Sequence, residues 1–206
     1  MTIAWPQKDA ELFTNKGGYY EFSHFSWGGV KSQFYGYVEG YKHAADTIVR
    51  NALENKNIKE LDTCIFPVCF LYRQYLELAM KNIFLTFSTK SLEEKKQTIN
   101  RVGHDLKKIW EEISPMLKKG RSSDEKELVS VVGAYILQFH NVDSSSFSFR
   151  YPITKGLEAI HTEEKRINIK NLMERMDEVY NFFDAVTMQL DHEKEIMMEM
   201  SIYFGE

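Results

Sequence analysis

The chain has 206 residues, with 26 Lys and Arg against 30 Asp and Glu, a formal net charge of −4. Apolar residues make up 43% and aromatics 14%, with 11 Gly and 4 Pro. That excludes a disordered chain, which needs few apolar residues and a large net charge, and a collagen-like or low-complexity chain, which needs far more Gly and Pro. The longest uncharged apolar run, Cys64 to Tyr72, has nine residues, well short of the roughly 20 that span a bilayer.

The start of the chain, Met1 to Lys16, shows no basic segment followed by an apolar one, so the expectation is a cytoplasmic protein with no membrane partner. The length suits one domain. The acidic balance argues against a surface that is all nucleic-acid footprint, though a local basic patch is compatible with it. Cys64 and Cys69 lie five apart in an apolar run and lack the compact Cys and His pairs of a zinc site. They read as buried thiols in a reducing compartment, and no metal or other cofactor is expected.

Residues 1–30 read as an N-terminal arm. Gly17-Gly18 and Gly28-Gly29 punctuate Tyr19, Tyr20, Phe22, Phe25 and Trp27, as in an arm or short hairpin laid over the core. Residues 31–206 read as a single helical-bundle domain. The first helix spans about Ser32 to Asn55: Phe34, Tyr37, Val38, Tyr41, Ala45, Ile48 and Ala52 recur at helical steps, with Glu39, Lys42, Asp46 and Arg50 on the opposite, solvated face. The second spans about Asp62 to Phe87 and is apolar nearly all round, which predicts a central helix buried on every side. Pro67 marks either a kink or the true first turn.

Thr89 to Asn100 is a charged connector compatible with a short solvated helix. A third helix starts near His104, with Leu106, Ile109, Trp110, Ile113 and Leu117 on one stripe and a Lys118-Lys119-Gly120 stop. A fourth runs from Ser123 or Asp124 to about Asn141, with Leu128, Val131, Val132, Tyr135, Ile136 and Phe139 as its core face. In residues 146–151, Phe147, Phe149 and Tyr151 alternate with Ser146, Ser148 and Arg150, the period of a strand. Residues 166–169 form a weaker partner strand. The last helix spans about Leu172 to Met200, and Leu172, Met176, Val179, Phe183, Val186 and Leu190 form the seam of a bundle helix. The predicted fold class is all-α: a four- to five-helix bundle with a short β-like hairpin insertion near residues 146–170.

Four places could carry chemistry. Arg73 sits in an otherwise apolar stretch with Glu77 four residues on and Lys81 four further. A buried guanidinium needs an anion, so Arg73 and Glu77 either fix the bundle register or line a polar pocket. His104-Asp105 stands at a helix start and His140 at a helix end, where capping and dipole effects compete with a functional role. If residues 146–151 form a strand, Ser146, Ser148 and Arg150 share a face suited to an anion. Phosphate loops, nucleophile elbows, calcium loops and His-Glu-x-x-His are all missing from the sequence.

Three pieces in order, Phe70-Leu71-Tyr72-Arg73-Gln74-Tyr75-Leu76-Glu77-Leu78-Ala79-Met80-Lys81, Gly103-His104-Asp105-Leu106 with Trp110, and Ser148-Phe149-Arg150-Tyr151-Pro152, resemble the HEPN superfamily of small helical bundles, in a branch of bacterial and phage-borne proteins. The resemblance covers roughly residues 35 to 190. It implies a dimer linked to phage defence or RNA metabolism, because many HEPN proteins are metal-independent ribonucleases whose catalytic motif is an Arg followed within a few residues by His. Here the motif is missing: Arg101 precedes His104 by three, Arg150 precedes His161 by eleven, and no His has an Arg five to seven residues before it.

The first functional expectation is therefore a HEPN-like binding or regulatory protein, a homodimer, taking a nucleotide, RNA or protein partner in a polar pocket. Arg73, Glu77, Asp105, Ser148 and Tyr151 would bind there, beside His104 and Arg150. The alternative is a metal-independent ribonuclease with His104 or His140 as general acid–base and Arg73 or Arg150 stabilising the developing charge. The third is an interaction module with no pocket.

Overall fold

The computed structural model describes residues 3–24 and 27–204. It is an all-α bundle with six α-helices and no strand among the described residues: α1 (Val30–Asn55), α2 (Ile58–Phe87), α3 (Leu92–Val102), α4 (Leu106–Lys118), α5 (Ser123–Val142) and α6 (Ile169–Phe204). The charged connector is the helix α3. Its start is locked by a reciprocal cap, in which the Glu94 amide donates to Ser91 Oγ and the Ser91 amide to Glu94 Oε2. The Ser122–Glu125 pair does the same for α5.

The α1–α2 hairpin turns on Lys56, which adopts a left-handed conformation (φ 50°), and on Asn57, whose side chain accepts from the Lys59 amide to cap α2. That cap places the start of α2 well before Pro67, which lies inside the helix and not in its first turn. α2 is the central helix: it packs against α1, α4 and α6, and from Val68 to Ser88 no residue is exposed. The all-round apolar pattern anticipates this.

α6 buries the expected seam, with Met176, Val179, Phe183, Val186 and Leu190 in the core and Leu172 packed against it. It runs antiparallel to α1, since Lys42 pairs with Asp177 and Glu39 with Tyr180. Leu190 is the last buried residue of α6 among the described side chains. Beyond it, Ile196, Met197, Met198, Met200, Ile202 and Tyr203 are exposed.

Four expectations change. In α5 the buried face is Val129, Val132, Gly133, Ile136 and Phe139, while Leu128 and Val131 are exposed. The apolar residues cover more than one face, and Gly133 selects the one that admits the Trp110 ring. In α1, Lys42 and Asp46 are buried, because α6 covers the side that reads as solvated. The arm, residues 3–24, is exposed and leaves the core uncovered, and its one regular element is the turn Tyr19–Glu21; Phe25 lies outside the described residues.

Residues 146–151 do not form a strand, and residues 166–169 do not pair with them; Ile169 already opens α6. The Asp143 carboxylate gathers the amides of Phe147 (3.0 Å) and Ser148 (3.2 Å), and Ser146 is left-handed (φ 63°). Together these curl the segment into turns. What remains of the hairpin is a tight reversal with a single bridge, Ile153 to Ala159.

Candidate functional site

The isolated guanidinium in the apolar run of α2 organises one end of the bundle. Arg73 has no exposed surface. Its NH1 donates to Glu77 Oε2 (3.1 Å), its NH2 to the His104 carbonyl, and its Nε to the Asp143 carbonyl (3.2 Å), with the Asp143 carboxylate 3.4 Å away. One side chain thus ties α2 to the α3–α4 corner and to the end of α5. Every nitrogen has a protein partner, so Arg73 binds no ligand anion in this arrangement. Its ion pair with Glu77 is internal to the bundle.

Glu77 is the hinge between this buried network and the surface. Its carboxyl is 3% exposed, yet Oε1 accepts from Lys81 Nζ (2.8 Å) and lies 2.8 Å from His104 Nδ1. Burial alone would raise the Glu77 carboxyl, but Lys81 and His104 outweigh it and hold it below the usual carboxylate range. The His104 side chain is 68% exposed. A buried carboxylate therefore fixes the orientation of an imidazole whose other nitrogen is left for solvent or a ligand.

Asp105 follows directly. Its Oδ1 caps α4 by accepting from the Lys108 amide (3.1 Å) and lies 3.4 Å from His140 Nδ1 on α5. Burial pushes the Asp105 carboxyl up, but the Lys108 amide and His140 lower it on balance. His140 Nδ1 has no aligned hydrogen bond in the described residues, so the contact with Asp105 is electrostatic.

The structure thus brings Arg73, Glu77 and His104 into one network and sets Asp105 and His140 beside it. It does not place Ser148, Arg150 and Tyr151 in a shared pocket with them. Ser148 contributes its backbone: its amide donates to Asp143 and its carbonyl faces His161 Nε2. Arg150 Nε donates to the Ser146 carbonyl, and its guanidinium lies 5.7 Å from the Tyr151 ring centre. Tyr151 is exposed, and its ring lies tilted against Phe147 with the centroids 4.7 Å apart. The expected face of two hydroxyls beside a guanidinium does not form, because Ser146 turns inward and its Oγ accepts from Gln74 Nε2. None of Arg73, Glu77, His104, Asp105 or His140 lines the cavity of about 1140 Å³ or the cavity of about 440 Å³.

Two sets of residues escape the sequence reading. Asp143 follows α5 as an ordinary helix-end acid, yet it is buried and serves both Arg73 and the turn. Lys42 and Asp46 form a second buried cluster: Lys42 Nζ is 2.7 Å from Asp46 and 2.5 Å from Asp177, and it sits over the rings of Tyr72 and Tyr180. Tyr72 donates to Asp46 at 2.7 Å, and burial raises its hydroxyl before that bond adds to the effect. The signal was a Lys and an Asp at i,i+4, a spacing that a solvated face shows equally well. Burial also pushes the Cys69 thiol up to about 12, and both cysteines are free and buried.

Among the described residues no group of three or more His, Cys, Asp or Glu is placed to hold a metal. No helix is long and apolar enough to cross a membrane. The chain matches no family model, no curated protein and no solved structure.

Proposed function

We propose that the chain is a HEPN-like binding protein that engages single-stranded RNA at the α3–α4 corner, around His104. The observation that carries this reading is the Glu77–His104 pair, a buried carboxylate orienting an exposed imidazole at 2.8 Å. Arg101, Lys107 and Lys108 flank His104 in sequence; Arg101 pairs with Glu112 and Lys108 with Asp105, while Lys107 has no ion-pair partner among the described residues. An exposed imidazole stacks on unpaired bases, and neighbouring cations meet the phosphates. In this reading the protein acts in the cytoplasm as a homodimer.

A second reading is a metal-independent ribonuclease, favoured by the two histidines that each face a carboxylate, His104 on Glu77 and His140 on Asp105. One imidazole would take the proton of a ribose 2′-hydroxyl as that oxygen attacks the adjacent phosphorus. The other would protonate the departing 5′-oxygen. Incubating the protein with total RNA in EDTA separates the two. Binding with intact RNA, lost in His104→Ala, supports the first reading. Cleavage by the wild type and not by His104→Ala supports the second. Neither binding nor cleavage overturns both.

A further inference from the structure

A separate cleft lies at the start of α6, away from His104. It is a cavity of about 440 Å³ between α2, α5, α6 and the segment that precedes α6, within the roughly 300–1,000 Å³ range of small-molecule sites. Its floor is apolar and aromatic, including Phe139, Phe149 and Met176; its polar lining includes Arg166, Asn171 and Arg175.

The charge is one-sided. No Asp or Glu lines this cavity among the described residues, whereas the neighbouring cavity of about 1140 Å³, which shares Arg166 and Phe149, carries Asp62, Glu163 and Glu164. Arg166 has no ion pair or hydrogen bond among the described residues. Arg175 pairs through NH2 with Glu178 at 2.9 Å and lies 4.0 Å from Glu174, both outside the cavity lining, but its Nε is buried with no hydrogen-bond partner, an arrangement that costs free energy unless something else accepts from it. The Asn168 cap opens α6 here, so the positive end of a long helix adds to the two guanidinium groups.

We propose that this cleft binds an amphipathic organic anion: a flat body of one or two rings seated against Phe139 and Phe149, with a phosphomonoester, carboxylate or sulfonate head held by Arg166 and Arg175. Apolar contact supplies the affinity, and the paired arginines require the charge. The site is independent of the RNA reading, since it uses neither His104 nor its neighbours.

The test is a fluorescence titration with 8-anilinonaphthalene-1-sulfonate on the full chain. The expected result is saturable one-to-one binding, weakened about tenfold or more in Arg166→Gln and in Arg175→Gln, as loss of a charge-assisted contact implies. Arg166 is exposed and unpaired, so Arg166→Gln is expected to keep the wild-type unfolding midpoint and to report on binding alone. Competition identifies the head group: displacement by AMP points to a phosphomonoester and displacement by octanoate to a carboxylate. Absence of saturable binding, equal affinity in wild type and Arg166→Gln, or displacement by neutral adenosine as readily as by AMP would each overturn the proposal.

Discussion

At the scale of the residue, Arg73 shows chemistry used up inside the fold. Its guanidinium is surrounded by Glu77, Asp143 and the His104 carbonyl, so removing it leaves buried carboxylates uncompensated. Arg73→Met is expected to destabilise the protein by about 3–5 kcal/mol, the usual result of breaking a buried pair from one side. His104→Ala, at an exposed position, is expected to cost about 1 kcal/mol or less; urea denaturation measures both. Glu77 links stability to pH. Its folded carboxyl lies below the ordinary value, so its contribution is present above the unfolded pKa of about 4.3 and is lost as the pH falls through the folded value. Glu77→Gln is expected to flatten this acid limb, and an unchanged slope in denaturation curves between about pH 6 and about pH 3 would contradict the assignment. Arg73 and Glu77 were legible because a lone charge in an apolar run must find a partner. Asp143 and Lys42 were not, because the elements that bury them arrive from distant sequence.

At the scale of the element, helices were legible and the short irregular segments were not. α2 and α6 announce themselves by periodicity sustained over many turns. Residues 146–151 alternate like a strand, but alternation says nothing of the Asp143 carboxylate that competes for the Phe147 and Ser148 amides. The shifted stripe of α5 turns on one glycine. A Cβ at Gly133 would meet Trp110 Nε1 at 2.6 Å, whereas at Gly40 it would meet nothing within 4 Å. Gly133→Ala is therefore expected to cost about 1–3 kcal/mol by overpacking the α4–α5 contact. Gly40→Ala, in the exposed interior of α1, is expected to gain about 0.5–1 kcal/mol from helix propensity. Thermal unfolding of the pair checks the sign of each.

At the scale of the whole molecule, the bundle class was legible, while the relative placement of its polar groups depended on which helices meet. The expected pocket of Arg73, His104 and Arg150 resolves into a closed ion-pair network, an exposed carboxylate-held histidine and a separate surface arginine. The aromatic arm and the apolar stretch of α6 beyond Leu190 are both exposed. If the homodimer forms through the exposed end of α6, Met197→Glu with Met200→Glu is expected to turn a dimer into a folded monomer whose unfolding midpoint no longer depends on protein concentration. Sedimentation velocity reads the outcome, and a wild-type monomer at every concentration would contradict the dimer.

The central claim is that RNA is recognised at the Glu77–His104 corner, and fluorescence anisotropy of a labelled single-stranded RNA in EDTA tests it most directly. The expected result is saturable binding that weakens about tenfold or more in His104→Ala, as stacking and phosphate contacts are lost, with Arg166→Gln binding like the wild type. Equal RNA affinity in wild type and His104→Ala, or no binding by the wild type, would contradict it.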